Sequence, residues 1–137
     1  MNDLSPLNGM LRKRRRRLKP SEGQIQKSIL QYLRALGIQC WRINSVGIPD
    51  GKGGFRSNPE MAGISDIHAI IRVNKIGASV WFEVKSEKGR LSPKQKEFRA
   101  AVESAGGFFF LVRSIEDVQK AIKFLGDQDD SKKLRDL

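Results

Sequence analysis

Residues 79–85 read Ser-Val-Trp-Phe-Glu-Val-Lys, and this order constrains the chain more than any other feature. In a strand, side chains two apart share a face. Phe82 and Val84 therefore project into a core, while Trp81, Glu83 and Lys85 project to the other side. A second β-rich segment spans 66–73, and the intervening Asn74-Lys75-Ile76-Gly77 reads as a turn, which predicts an antiparallel hairpin. In that hairpin Asp66, opening the first strand, lies near the end of the second, so Asp66, Glu83 and Lys85 converge. Two carboxylates brought together repel unless a proton or cation lies between them, and oxygen-only ligands favour a hard cation such as Mg²⁺. Such a centre suits phosphodiester hydrolysis: the cation binds a phosphate oxygen and lowers the pKa of a water, and Lys85 orients that water or stabilises the pentacovalent phosphorus. The plainer alternative makes Asp66 a turn residue and Glu83/Lys85 a weak ion pair on a solvated face. Against it, a face covered by a helix needs a reason to hold charges.

The flanking sequence supplies the rest of an α/β domain. Ser21 with Gln24 three residues later has the form of a capping box, and Ile25, Ile29, Leu33 and Leu36 recur at helical spacing, predicting a helix over 21–36 that Gly37 ends. Alternation over 38–44 predicts a strand. Residues 45–63, dense in Gly and Pro, read as a long loop. Ser92-Pro93-Lys94-Gln95 opens a second helix with an N-cap, a Pro at N1 and a capping glutamine, and Gly106-Gly107 stops it. The apolar run Phe108-Phe109-Phe110-Leu111-Val112 reads as a buried strand, and Ser114 caps a last helix ending near Leu125. The order αβββαβα implies a mixed sheet flanked by helices. Three segments are expected: a basic, flexible arm over 1–19, one folded domain over 20–126, and a polar tail over 127–137.

Charge points to the partner. Lys and Arg number 26 against 15 Asp and Glu, a net +11 that attracts polyanions, nucleic acid first. Arg12, Lys13, Arg14, Arg15, Arg16, Arg17 and Lys19 place much of this excess in the arm, where phosphate contacts would release counterions and make affinity salt-sensitive. Arg42 and Asn44, alternate residues of one strand, and Lys52, Arg56, Lys88, Arg90 and Lys94 around the proposed centre are further candidates for contacting DNA. Trp41 and Trp81 read as core or rim aromatics, with base stacking the alternative; His68 reads as a structural histidine on the Asp66 face.

Several classes are excluded. One cysteine, Cys40, and one histidine cannot build a four-ligand zinc site or an internal disulfide. The longest apolar run has five residues, too short to span a bilayer, and no apolar stretch follows the basic cluster as a secretory signal requires. A cytoplasmic location is expected, or a nuclear one in a nucleated cell. Gly51-Lys52-Gly53-Gly54 lacks the Ser or Thr of a P-loop, so no nucleoside triphosphate site is expected.

Ser65-Asp66 … Glu83-Val84-Lys85, after a helix bearing Glu22 and before Gly89-Arg90-Leu91-Ser92-Pro93-Lys94-Gln95, resembles the PD-(D/E)XK nuclease superfamily and, within it, the VRR-NUC domain group. The resemblance covers about residues 20–120 and implies the restriction-endonuclease-like αβββαβ core. It implies that Asp66 and Glu83 are metal ligands together with the backbone carbonyl of Val84, that Lys85 is the catalytic lysine, and that Glu22 reaches the metal directly or through water. Gln95 would help orient the active site, with helix capping as its other role. Ser65 stands where the superfamily name has proline, at a position that supplies no ligand. Stand-alone members of this kind, typical of phages and bacteria, are Mg²⁺- or Mn²⁺-dependent endonucleases acting on branched DNA such as Holliday junctions or flaps, and pair as homodimers. Two rival readings are a sequence-specific restriction-like endonuclease and a non-catalytic architectural DNA-binding protein.

Overall fold

The computed structural model describes residues 19–43 and 47–129. The arm residues Arg12 to Arg17, Asn44 and the tail from residue 130 lie outside the described residues.

Helix α1 (Glu22–Ala35) begins with the capping box that the sequence predicts: Ser21 Oγ accepts from Gln24 N at 3.2 Å, and Ser21 N donates to Gln24 Oε1 at 2.9 Å. Strand β1 (Gln39–Arg42) follows and is shorter than the sequence suggests. The Gly/Pro-rich stretch is not structureless. It holds a small hairpin, β2 (Ile48–Pro49) with β3 (Phe55–Arg56), and a 3₁₀ turn, Pro59–Met61. Asp50 organises that hairpin, its Oδ1 accepting from Lys52 N at 2.7 Å and Gly54 N at 3.0 Å.

Strands β4 (Ile67–Val73) and β5 (Ile76–Val84) form the expected hairpin, but its turn has two residues rather than four. Asn74 and Lys75 both take positive φ, 52° and 65°, as a type I′ connection requires, so β5 begins at Ile76. Gly77 lies within the strand, where a Cβ would come within 2.9 Å of Ile70 Cγ2. Helix α2 (Pro93–Ser104), strand β6 (Phe108–Val112) and helix α3 (Ile115–Asp127) complete the chain.

The main sheet has the order β1-β4-β5-β6, with β6 parallel to β5 and the other pairs antiparallel. One face carries Ile67, Ala69, Val80, Phe82, Val84 and Val112, packed against Ile29 and Leu33 of α1 and Val118 and Leu125 of α3. Over the other face α2 covers only the β5–β6 half, where Phe98 meets Trp81 and Phe109 edge-on, with ring centroids 5.0 and 6.5 Å apart. The result is a mixed α/β sandwich with a partly open second face. No helix among the described residues is long and apolar enough to cross a membrane.

Candidate active site

At the end of β5 the hairpin brings the carboxylates together. Asp66 Oδ2 accepts from the backbone N–H of Val84 at 2.8 Å, a bond that ties the start of β4 to the end of β5. Glu83 is 2% exposed and projects from the same face as Trp81. Its Oε1 accepts from Gln95 Nε2 at 2.9 Å and lies 3.6 Å from Lys85 Nζ, while its Oε2 is buried without a hydrogen-bond partner among the described residues. Ser65, immediately before Asp66, is fully buried, and its hydroxyl is also unpartnered there.

Burial pushes the Glu83 carboxyl up to about 7, the neighbouring Asp66 carboxylate adds to the rise, and the Lys85 ammonium opposes it. An orphaned, proton-hungry carboxylate oxygen beside a second carboxylate is a donor set suited to a hard divalent cation. Asp66 and Glu83 are the carboxylates that could contribute to such a site. Glu22 is not gathered with them: its Oε1 accepts from Ser86 N at 3.1 Å, which anchors the segment leaving β5 to the first turn of α1. Among the described residues no group of three or more His, Cys, Asp or Glu side chains is placed to hold a metal.

Gln95 serves two elements at once. Its Oε1 accepts from Ser92 N at 2.9 Å, closing the capping box of α2, and its Nε2 reaches Glu83. Two glycines set the spacing around it. Gly63 has φ +81°, and a Cβ there would come within 2.4 Å of the Lys94 carbonyl, so the loop before Ser65-Asp66 lies directly against the start of α2. Gly89 packs beside Lys85, where a Cβ would be 3.2 Å from the lysine's aliphatic stem and 3.4 Å from Glu22 Oε1.

The candidate DNA contacts scatter. Arg42 pairs in register with Ile67, a core residue, so its side chain leaves the sheet on the face opposite Asp66. Trp41, opposite His68, and Gln39, opposite Ile70, are the β1 residues on the carboxylate face. Lys52 and Arg56 belong to the exposed β2–β3 hairpin, Arg90 is exposed, and Lys94 is exposed and pairs with Glu97 at 3.3 Å. Lys88 borders a cavity of about 420 Å³ beside Ser86, which Lys19 and Arg113 also line. The role of Arg113 is not evident from the sequence: its guanidinium donates to the Ser86 carbonyl, and its backbone N–H donates to Asp117 Oδ2 at 2.8 Å. The signal available for it was its position directly after the buried strand, at the end of the sheet where Lys85 also sits.

His68 stacks between the two tryptophans, 4.3 Å from Trp81 and 6.1 Å from Trp41 between ring centroids. Ser79 Oγ anchors the inner pair, 2.9 Å from His68 Nε2 and accepting from Trp81 Nε1 at 3.0 Å. Burial lowers the His68 pKa, which favours the neutral ring.

No family model matches the chain, and a search of curated proteins finds no match. Among solved structures, one described as a VRR_NUC domain superimposes with a TM-score of 0.53 at 24% identity, over 74% of this chain and 94% of that one. The chain thus has the fold of a VRR_NUC domain, with its mixed restriction-endonuclease-like sheet between helices.

Proposed function

We propose that this chain is a divalent-metal-dependent DNA endonuclease, with Asp66, Glu83 and the Val84 carbonyl as ligands for Mg²⁺, or Mn²⁺ in its place. Glu22 contributes through water. The observation that carries this reading is the pairing of Asp66 with a buried Glu83 whose Oε2 has no hydrogen-bond partner among the described residues, beside Lys85 on the same sheet face.

A divalent ion bound there supplies charge for the phosphate oxygens and makes a water more acidic. The chain's own groups do the rest. Gln95 fixes Glu83 Oε1, which would leave Oε2 available to hold the ion. Lys85, 16% exposed, keeps its ammonium at the rim of the site, where it orients the attacking water and meets charge developing on the phosphoryl oxygens. Asp66 is held by the Val84 amide and stays aligned with β5.

The substrate is branched DNA, and the active form is a homodimer. The basic excess of the chain favours DNA, and the resemblance of its Asp … Glu-x-Lys segment and flanking string to stand-alone VRR-NUC proteins favours junctions and pairing. A two-fold dimer presents one site to each of two strands.

The test is Mg²⁺- and Mn²⁺-dependent cleavage of linear duplex, single strand, flap, splayed arm and four-way junction, with Lys85→Ala as control. Paired symmetric cuts in the junction that the variant lacks are the expected result. Cutting of plain duplex at fixed sequences would move the assignment to a restriction-like enzyme, and metal-independent binding with no cleavage would make the protein architectural.

A further inference from the structure

On the carboxylate face of the sheet, among the described residues, α2 covers β5 and β6 but leaves β1 and β4 open. An aromatic stack crosses this boundary. Its inner end is Trp81, held edge-on by Phe98 of α2; its middle is His68; its outer end is Trp41, 46% exposed on the edge strand. The stack ends in an open indole.

His68 is two residues along β4 from Asp66, on the same face, about 7 Å at strand spacing. Trp41 lies directly across from His68 in register. The open ring is thus one strand over and about two nucleotide rises along from the carboxylates. From the geometry we infer that Trp41 is a stacking platform for an unpaired nucleobase of DNA whose backbone enters the Asp66/Glu83 site. The placement beside the scissile phosphate rests on the nuclease reading; the stacking itself does not.

Two observations favour a base over a second copy of this chain. The patch is small: among the described residues, half-exposed Trp41 and Ile70 are its only large exposed apolar side chains, and together they offer on the order of 200 Å², against about 800 Å² per partner for a stable protein interface. Its flanks are polar, with Gln39 and Arg72 on the same face by register. A flat open aromatic with polar flanks, continuous along the sheet with the Asp66/Glu83 site, matches single-stranded nucleic acid, whose bases stack on such rings.

The test uses the full chain carrying Trp81→Phe, which leaves Trp41 as the sole tryptophan, in EDTA so that no strand is cut. Titration with a poly-dT oligonucleotide should quench Trp41 emission, while inorganic polyphosphate and blunt duplex should not. Trp41→Ala should lower affinity for the oligonucleotide by at least about fivefold at every salt concentration without changing the salt slope, and Trp41→Phe should restore most of it. An unchanged affinity in Trp41→Ala, an equal loss on polyphosphate, or Trp41 emission that shifts with protein concentration alone would each overturn the proposal, the last by assigning the patch to self-association. Because binding is read without cleavage, quenching in a protein that cuts nothing would retire the nuclease reading and leave the platform standing.

Discussion

The side-chain amide of Gln95 joins Glu83 to the first turn of α2, donating to Glu83 Oε1 at 2.9 Å while accepting from Ser92 N at 2.9 Å. One side-chain amide therefore serves both helix capping and carboxylate positioning, through its oxygen and its nitrogen. Gln95→Ala should cost about 1 kcal/mol through the lost cap and lower cleavage about 10- to 100-fold by freeing Glu83. Thermal melts with single-turnover cleavage check both. Gln95→Glu can still accept from Ser92 N, so it should retain most of the stability, but it adds a third carboxylate and should lose as much activity.

Asp66→Ala, Glu83→Ala and Lys85→Ala should each lower cleavage by at least about 100-fold, because each removes charge or position at the reacting phosphate. DNA affinity should stay within a few-fold, since the basic surface supplies most of it. Cleavage assays and fluorescence anisotropy on the same preparations separate the two effects.

Glu83 sets a pH dependence of stability. Its carboxyl rises from 4.5 to about 7 on folding, so between those values the native chain keeps a proton that the unfolded chain has released. This contribution is full below the unfolded pKa and is lost as pH climbs through about 7. The Tm of the metal-free protein should therefore fall on going from pH 5 to pH 8, and Glu83→Gln should flatten that trend. Added Mg²⁺ should raise Tm more at pH 8 than at pH 6, because it competes with the proton for the same oxygens.

Gly63→Ala should destabilise the fold by about 2–4 kcal/mol, combining a left-handed backbone with a Cβ forced onto the Lys94 carbonyl. The same change moves the segment leading into Asp66. Urea unfolding should show the loss of stability, and cleavage at a temperature where the variant remains folded should still be reduced.

Deleting residues 1–19 should weaken DNA binding and flatten its dependence on salt, since seven of the chain's basic residues leave with it. Binding isotherms at several NaCl concentrations measure the slope, and circular dichroism should be unchanged.

Sequence patterns that act locally were legible. Both capping boxes, at Ser21/Gln24 and Ser92/Gln95, follow from residues three apart, and the shared face of Glu83 and Lys85 follows from alternation. What depends on contacts between distant segments was not. Register with β4 decides which β1 residues face the carboxylates, and it puts Gln39 and Trp41 on that side and Arg42 on the other. Lys75 gives no sign of its positive φ, so the turn is two residues shorter and β5 three residues longer at its start than the pattern suggests. The Asp50 turn that creates the β2–β3 hairpin was hidden among glycines, and the contact of Gly63 with Lys94 joins segments about 30 residues apart.

The two-residue turn at Asn74-Lys75 also sets an order of assembly. The β4–β5 ladder runs from Val73 opposite Ile76 to Ile67 opposite Phe82, and the acidic pair sits just past its open end. A hairpin nucleated at its tight turn zips toward that end, so the pair that repels most is brought together after the supporting rungs have formed. Mutations near the turn should then slow folding, whereas those at Asp66 and Glu83 should act mainly on the rate of unfolding. The chemistry can thus vary at the last rung while the nucleus that builds the sheet is left intact.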